Sequence, residues 1–149
     1  MDLNNLRDEL SDLLASQTSS LAQHLSRAKP VLDAHTYRIW DDLQHLHEDT
    51  AQQSRRLSVL FTRLRMTPRT RPFHVNVASY HDISLPVLVP LLLVEKREQA
   101  EALERAIAHA AGNPTVVAEL TALLEDVRRH VQKLENCVLR LHEDAARAG

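Results

Sequence analysis

Only two glycines, Gly112 and Gly149, occur in this chain of 149 residues. Glycine supplies the positive φ angles that tight turns and hairpins need, so a chain almost without it must consist of long helices joined by few connections. The apolar residues repeat accordingly. Leu3, Leu6, Leu10, Leu13, Leu14, Leu21 and Leu25 recur at helical spacing and predict a first helix over 3–28, closed by Lys29-Pro30. A second helix is predicted over 34–65, with Asp33 as its cap and a stripe of Ile39, Trp40, Leu43, Leu46, Leu57, Leu60, Phe61 and Leu64.

Pro68 and Pro72 then open a connection over 67–82, longer than the usual link between bundle helices, and such connections tend to be functional or to cross the bundle. The third helix is predicted over 84–111. Pro86 and Pro90 should kink its first turns or split off a short helix, leaving regular helix from Leu91. Gly112-Asn113-Pro114 reads as a stop and a restart, with glycine at C′ and proline in the first turn of a fourth helix over 114–147. That last segment has the cleanest stripe: Leu120, Leu124, Val127, Val131, Leu134, Val138 and Leu141. Four amphipathic helices, each needing a partner for one face, predict an all-α four-helix bundle in a single domain over 1–149.

Several chemistries are excluded at once. Cys137 is the only cysteine, so neither a disulfide framework nor a cysteine-based zinc site can form, and its spacing from Leu134 and Leu141 predicts a buried, inert thiol. There is no Gly-rich phosphate loop, no GxSxG elbow and no HExxH motif. The N-terminus lacks a signal-peptide pattern, and the longest apolar run, Leu85 to Val94, is too short to span a bilayer. A cytoplasmic protein without membrane contact is the expectation, and a net charge of −2 implies neither nucleic acid nor membrane by itself.

The stretch YRIWDDLQHLHEDTAQQSRRLSVLFTRLRMTP resembles the second helix of the Dps group of ferritin-like proteins. LLLVEKREQAEALERAIAHAAGNPTVVAELTALLEDVRRHVQKLENCVL resembles that group's last two helices, including an (E/D)xxRxH-like pattern from Glu125 to His130. The resemblance implies a ferritin-like bundle that assembles into a hollow homo-oligomer, oxidises ferrous iron between subunits and often binds DNA. Two histidines, an aspartate and a glutamate hold the iron in that group. In an ungapped match those positions fall on Lys29, Asp41, Arg56 and Leu60, so the between-subunit ferroxidase site is expected to be missing.

Ferritins proper carry a di-iron site inside the bundle, built from carboxylates and Glu-x-x-His pairs. Here polar residues interrupt the stripes near mid-helix: Gln17, His47 and Thr50, Glu95 and Gln99, and His130. Against the ferritin pattern, Gln17 replaces a glutamate, Gln44 and His47 make a Gln-x-x-His, Glu95 matches, and Val127 with His130 lacks its glutamate. His47, Glu95 and His130 would be the candidate ligands of a reduced iron site with open positions on the metal. The alternative is that these side chains are hydrogen-bonded or half-exposed parts of the bundle. Asp42 and His45 point away from the stripe and read as a solvated face.

No acidic residue lies between Asp49 and Asp82, while Arg55, Arg56, Arg63, Arg65, Arg69 and Arg71 all fall in that window. Guanidinium forks bind phosphate or carboxylate, so an anion, an acidic protein partner or nucleic acid would suit this surface. DNA is the weakest of the three, because the chain has only three lysines and no aromatic residues interleave with the arginines. The arginines could instead pair with acids on neighbouring helices. The expectation is a Dps-like homo-oligomer without ferroxidase activity that binds a partner or anion through these arginines. An iron-binding ferroxidase and a DNA-binding nucleoid-type protein are the alternatives.

Overall fold

The computed structural model describes residues 1–18, 36–69 and 84–148. They form four helices, α1 (Leu3–Thr18), α2 (Tyr37–Arg63), α3 (Leu85–His109) and α4 (Pro114–Ala148), with no strand among the described residues. The part of the predicted first helix beyond Thr18, with Lys29-Pro30 and Asp33, and the 70–83 part of the predicted connection lie outside the described residues.

Local signals set the helix ends. Asp2 caps α1 by accepting the Asn5 N–H on Oδ1 at 3.2 Å. At the end of α2 the Met66 N–H bonds the Phe61 carbonyl at 2.9 Å and the Arg65 N–H bonds the Thr62 carbonyl at 3.1 Å, the paired bonds of a Schellman cap. That cap needs a left-handed residue, and here it is Arg65, at φ 53°, rather than glycine. Asn113 starts α4, its side chain accepting the Val116 N–H at 3.3 Å ahead of Pro114 in the first turn. Gly112 has φ +98°, but α3 is capped by Ala110, so the glycine sits one residue beyond the predicted C′ position.

The two prolines of α3 do not split it. Pro86 lies at the start, where its missing N–H has no intrahelical partner to lose, and only Pro90 removes a bond from the helix interior. Leu88, Val89, Leu92 and Leu93 are buried on both sides of Pro90. At about 1.5–3 kcal/mol for each fully buried apolar side chain, their packing exceeds the roughly 3 kcal/mol cost of an interior proline.

Contacts join α1 to α2 and α3, and α4 to α2 and α3, which closes a ring with α2 and α3 on one diagonal. Cross-helix pairs give the directions. Asp2 meets His109 and Glu9 meets Arg105, Glu104 meets Arg128 and Arg97 meets Glu135, and Asp42 meets Arg140 while Arg56 meets Asp126. Each ring neighbour so linked is antiparallel, so α2 and α3 run the same way, opposite to α1 and α4. α2 therefore ends at the opposite end of the ring from where α3 begins. Arg69, just beyond α2, lies against α1, its N–H donating to Ser11 Oγ at 2.9 Å.

Two apolar clusters fill the interior. One joins Leu6, Leu10 and Leu13 to Leu57, Leu60, Phe61, Leu103, Leu120 and Val127. The other joins Ile39, Leu43 and Leu46 to Leu88, Leu92, Leu134, Cys137 and Leu141 at the opposite end. Cys137 is buried as predicted, and that burial pushes its thiol pKa up. What separates the clusters is polar.

Candidate functional site: a polar layer around Lys96 and the cleft above it

The stripe of α3 runs Leu85, Leu88, Val89, Leu92, Lys96, Gln99, Leu103 and Ala106, every member buried. Lys96 thus occupies a core position between two turns of leucine and is only 2 % exposed. Its Nζ donates to Thr50 Oγ1 of α2 at 2.8 Å and to Gln99 Oε1 at 3.1 Å. Because α2 lies on the diagonal from α3, this ammonium bridges the bundle axis.

Around it other polar groups bond to one another, and Gln53 Nε2 and His130 Nδ1 are left without a partner. Gln99 Nε2 donates to Ser16 Oγ at 2.9 Å, and Ser54 Oγ donates to Gln17 Oε1 at 3.2 Å. Gln17 Nε2 makes a longer bond, 3.4 Å, to Gln53 Oε1. Thr50 also donates to the Leu46 carbonyl at 2.8 Å, which leaves its oxygen lone pairs for the ammonium. Burial depresses the Lys96 pKa to about 8, with the nearby Glu95 and Asp49 carboxylates opposing the shift.

His130 enters this layer from α4 and is 5 % exposed. Its Nε2 lies 3.2 Å from Asp49 Oδ2. Burial, and after it the charge of Lys96, lowers its pKa to about 4, while Asp49 pulls the other way. The imidazole is therefore neutral at pH 7. A carboxylate can only accept, which assigns the proton to Nε2 and leaves Nδ1 as a bare acceptor.

The predicted ligand trio is not brought together. Glu95 faces α1, where it accepts from Ser16 Oγ at 3.5 Å, and His130 is paired to Asp49. His47 shares the α2 edge of Ser54, seven residues on, which also faces α1, whereas Asp49 faces α4. Among the described residues no group of three or more His, Cys, Asp or Glu side chains is placed to hold a metal ion. A buried ammonium at the same level adds repulsion, so these residues do not fit iron. Of the positions matched to the between-subunit ligands, Asp41 is on the surface beside His45, Arg56 is paired with Asp126, Leu60 is core and Lys29 lies outside the described residues. Asp42 and His45 are also surface groups, paired with Arg140 and with Asp41 and Glu48.

The arginine block is partly neutralised, in line with the alternative that its members pair with acids on neighbouring helices. Arg56 pairs with Asp126 at 2.9 Å, Arg63 with Glu119, and Arg69 with Asp8 at 2.7 Å. Arg55 and Arg65 are exposed and have no ion pair among the described residues, and Arg71 lies outside them. The acids come from α1 and α4, the two ring neighbours of α2, so the charge that looks segregated along the chain is balanced across it.

Between α2 and α4, directly above the polar layer, a cleft of about 390 Å³ opens. Gln53 and His130 belong to its lining, together with Arg56, Arg129 and Lys133. Asp126 binds both Arg56 and Arg129 and so holds the two guanidinium groups side by side. Neither Arg129 nor Lys133 belongs to the predicted arginine surface. The sequence signal for Lys96 was its position, seven residues from both Val89 and Leu103 on the same stripe, and a lysine there has no route to water.

No protein-family model matches this chain, and no curated protein or solved structure was found to match it.

Proposed function

We propose that this chain is a ferritin-like bundle of the Dps type that does not handle iron and acts as a homo-oligomeric binding protein through its α2/α4 face. The observation that carries this reading is Lys96, whose ammonium lies at the bundle axis on Thr50 and Gln99, at the level where ferritin-type bundles hold metal. The parallel course of α2 and α3 supports the ferritin-like part, since it calls for one crossover between them. Oligomerisation draws support from Val87 and Val94, more than half exposed, which share with Pro90 the side of α3 turned away from the core. The α2/α4 face is favoured for binding because its cations line an open cleft, whereas Arg69 is bound to α1. Pairing of Arg56, Arg63 and Arg69 with acids weighs against DNA, which needs cations free to replace counterions.

The test is ferrous iron added to metal-free protein, followed by oxidation rate and retained iron per subunit. Oxidation no faster than the protein-free blank, with no iron retained through gel filtration, is the expected result. Accelerated oxidation with stoichiometric retention would overturn the reading. The oligomer is checked in parallel by sedimentation velocity, where a monomer at micromolar concentration refutes that part.

A further inference from the structure

The bundle carries opposite charge on opposite faces. We infer that the α2/α4 face docks on the α1/α3 face of a second copy of this chain, head to tail. This names the partner of the binding face proposed above and rests on that reading.

The α2/α4 face is basic. Its 390 Å³ cleft shares Arg56 with a second cleft of about 430 Å³ on the same seam, and together they follow α2 from Asp49 to Arg63, about 21 Å of helix. Their cations, Arg55, Arg56, Arg63, Arg129 and Lys133, outnumber the three acids by two, His130 being neutral. Arg55 and Lys133 have no ion pair among the described residues. Val59, one turn from both Arg55 and Arg63, is 56 % exposed.

The α1/α3 face, on the other side of the ring, is acidic. A cleft of about 200 Å³ opens there, and its Glu9, Asp12 and Glu98 outnumber Arg105 by two. Glu98 is exposed and has no ion pair among the described residues. Arg105 is bound to Glu9 of α1, and Val94 and Val87 precede it by about three and five whole turns, so both exposed valines share its side of α3.

An excess of two positive charges thus lies across the bundle from an excess of two negative ones, with exposed valine on each face. The faces are also level. α2 and α3 run parallel with Lys96 beside Thr50, which sets 98–105 of α3 at the height of 52–59 of α2. A copy shifted sideways therefore brings its acidic cleft onto the middle of the basic groove. Two basic faces would repel, as would two acidic ones, so the charges favour a heterologous contact over an isologous one. Two helices side by side are about 20 Å wide, and over the roughly 24 Å of α1 such a contact buries about 1,000 Å² in total, the lower end of specific interfaces.

Sedimentation velocity of the full chain across the micromolar range reads the assembly, which should grow with concentration. Arg55→Gln with Lys133→Gln removes the excess on one face, and Asp12→Asn with Glu98→Gln removes it on the other; all four changes lie outside the core. Each pair should weaken association by roughly tenfold or more, with circular dichroism checking that the helices remain. A one-to-one mixture of the two variants should recover the wild-type affinity but stop at dimers, since each variant keeps one intact face. The inference is overturned if both variants assemble as wild type does, which leaves the oligomer reading standing, or if the mixture associates no better than its components. A monomeric wild type refutes the oligomer reading itself, and this inference with it.

Discussion

The buried lysine makes a prediction with a definite sign. Folding moves the Lys96 pKa from 10.5 to about 8, chiefly because burial disfavours the charged form. Between those two values the unfolded chain binds a proton that the folded chain does not, so stability rises with pH across the window. The full penalty is present below pH 8 and amounts to about 3 kcal/mol, from a shift of about 2.5 units at 1.36 kcal/mol each. Raising the pH from 7 to 9.5 should recover about 2 kcal/mol of it. Cys137 works in the opposite direction, because its thiol ionises more readily in the unfolded chain. The comparison is therefore between wild type and Lys96→Met, which keeps an unbranched side chain one atom shorter and removes the charge; the cysteine contribution cancels in the difference. Urea unfolding followed by circular dichroism gives both curves. Wild type should gain about 2 kcal/mol on Lys96→Met between pH 7 and 9.5. At pH 7 itself the two should lie within roughly 2 kcal/mol, because the variant sheds the desolvation penalty but leaves Gln99 Oε1 without its donor. Parallel pH curves would refute the placement of this ammonium in the core.

His130 should behave as the acid-side counterpart. The unfolded imidazole takes up a proton near pH 6.5 and the folded one only near 4, so stability falls as pH drops through that interval, by about 3 kcal/mol in all. An NMR titration of the folded protein that puts the His130 midpoint near 6.5 would contradict its burial. Gly112→Ala should cost about 1–2 kcal/mol, and all of it through φ, since the nearest atom to the added Cβ is 3.8 Å away; an unchanged urea midpoint counts against that geometry. Arg65→Gly should be neutral or stabilising by up to about 1 kcal/mol, because the left-handed penalty removed exceeds the entropy that glycine adds to the unfolded chain. A loss of stability in that variant would mean that the arginine side chain contributes more than its backbone strain costs.

The helices were legible because their signals are local: stripes at a 3.6-residue period, Pro114 behind an asparagine cap, a glycine past the end of α3. Two backbone details inside or at the end of those helices were not legible, for a common reason. A proline or a missing glycine specifies only what the backbone resists, and packing decides whether it is overruled. Leu88 to Leu93 carry α3 through Pro90, and Phe61 with the half-buried Met66 holds Arg65 in a conformation that glycine usually takes. The site was less legible than the fold. Gln17, Thr50, Gln99 and His130 stand out as interruptions of apolar stripes, but which of them share a partner depends on the helix pairing. Glu95 drew attention as a carboxylate, whereas the residue beside it carries the charge at the axis. The arginine block misleads in the same way, since Asp8, Glu119 and Asp126 are remote in sequence and adjacent in space.

Apolar stripes alone leave the axial register of a bundle weakly determined, because leucines one turn apart present almost the same surface. The polar layer removes that freedom here. Along α2 the inward positions read Leu43, Leu46, Thr50, Gln53, Leu57 and Leu60. A slip of α3 by one turn toward the start of α2 would set the Lys96 ammonium against Leu46, and a slip of two turns the other way would set it against Leu57. Gln99, three residues from Lys96 on its own helix, would follow it, but Ser16 of α1 would not. Such a register buries an unpaired charge, which costs several kcal/mol more than the paired arrangement. The same residues that make the centre of this bundle unsuited to a metal therefore also hold α2, α3 and α4 at the heights where Arg56, Arg129 and Lys133 meet around one cleft.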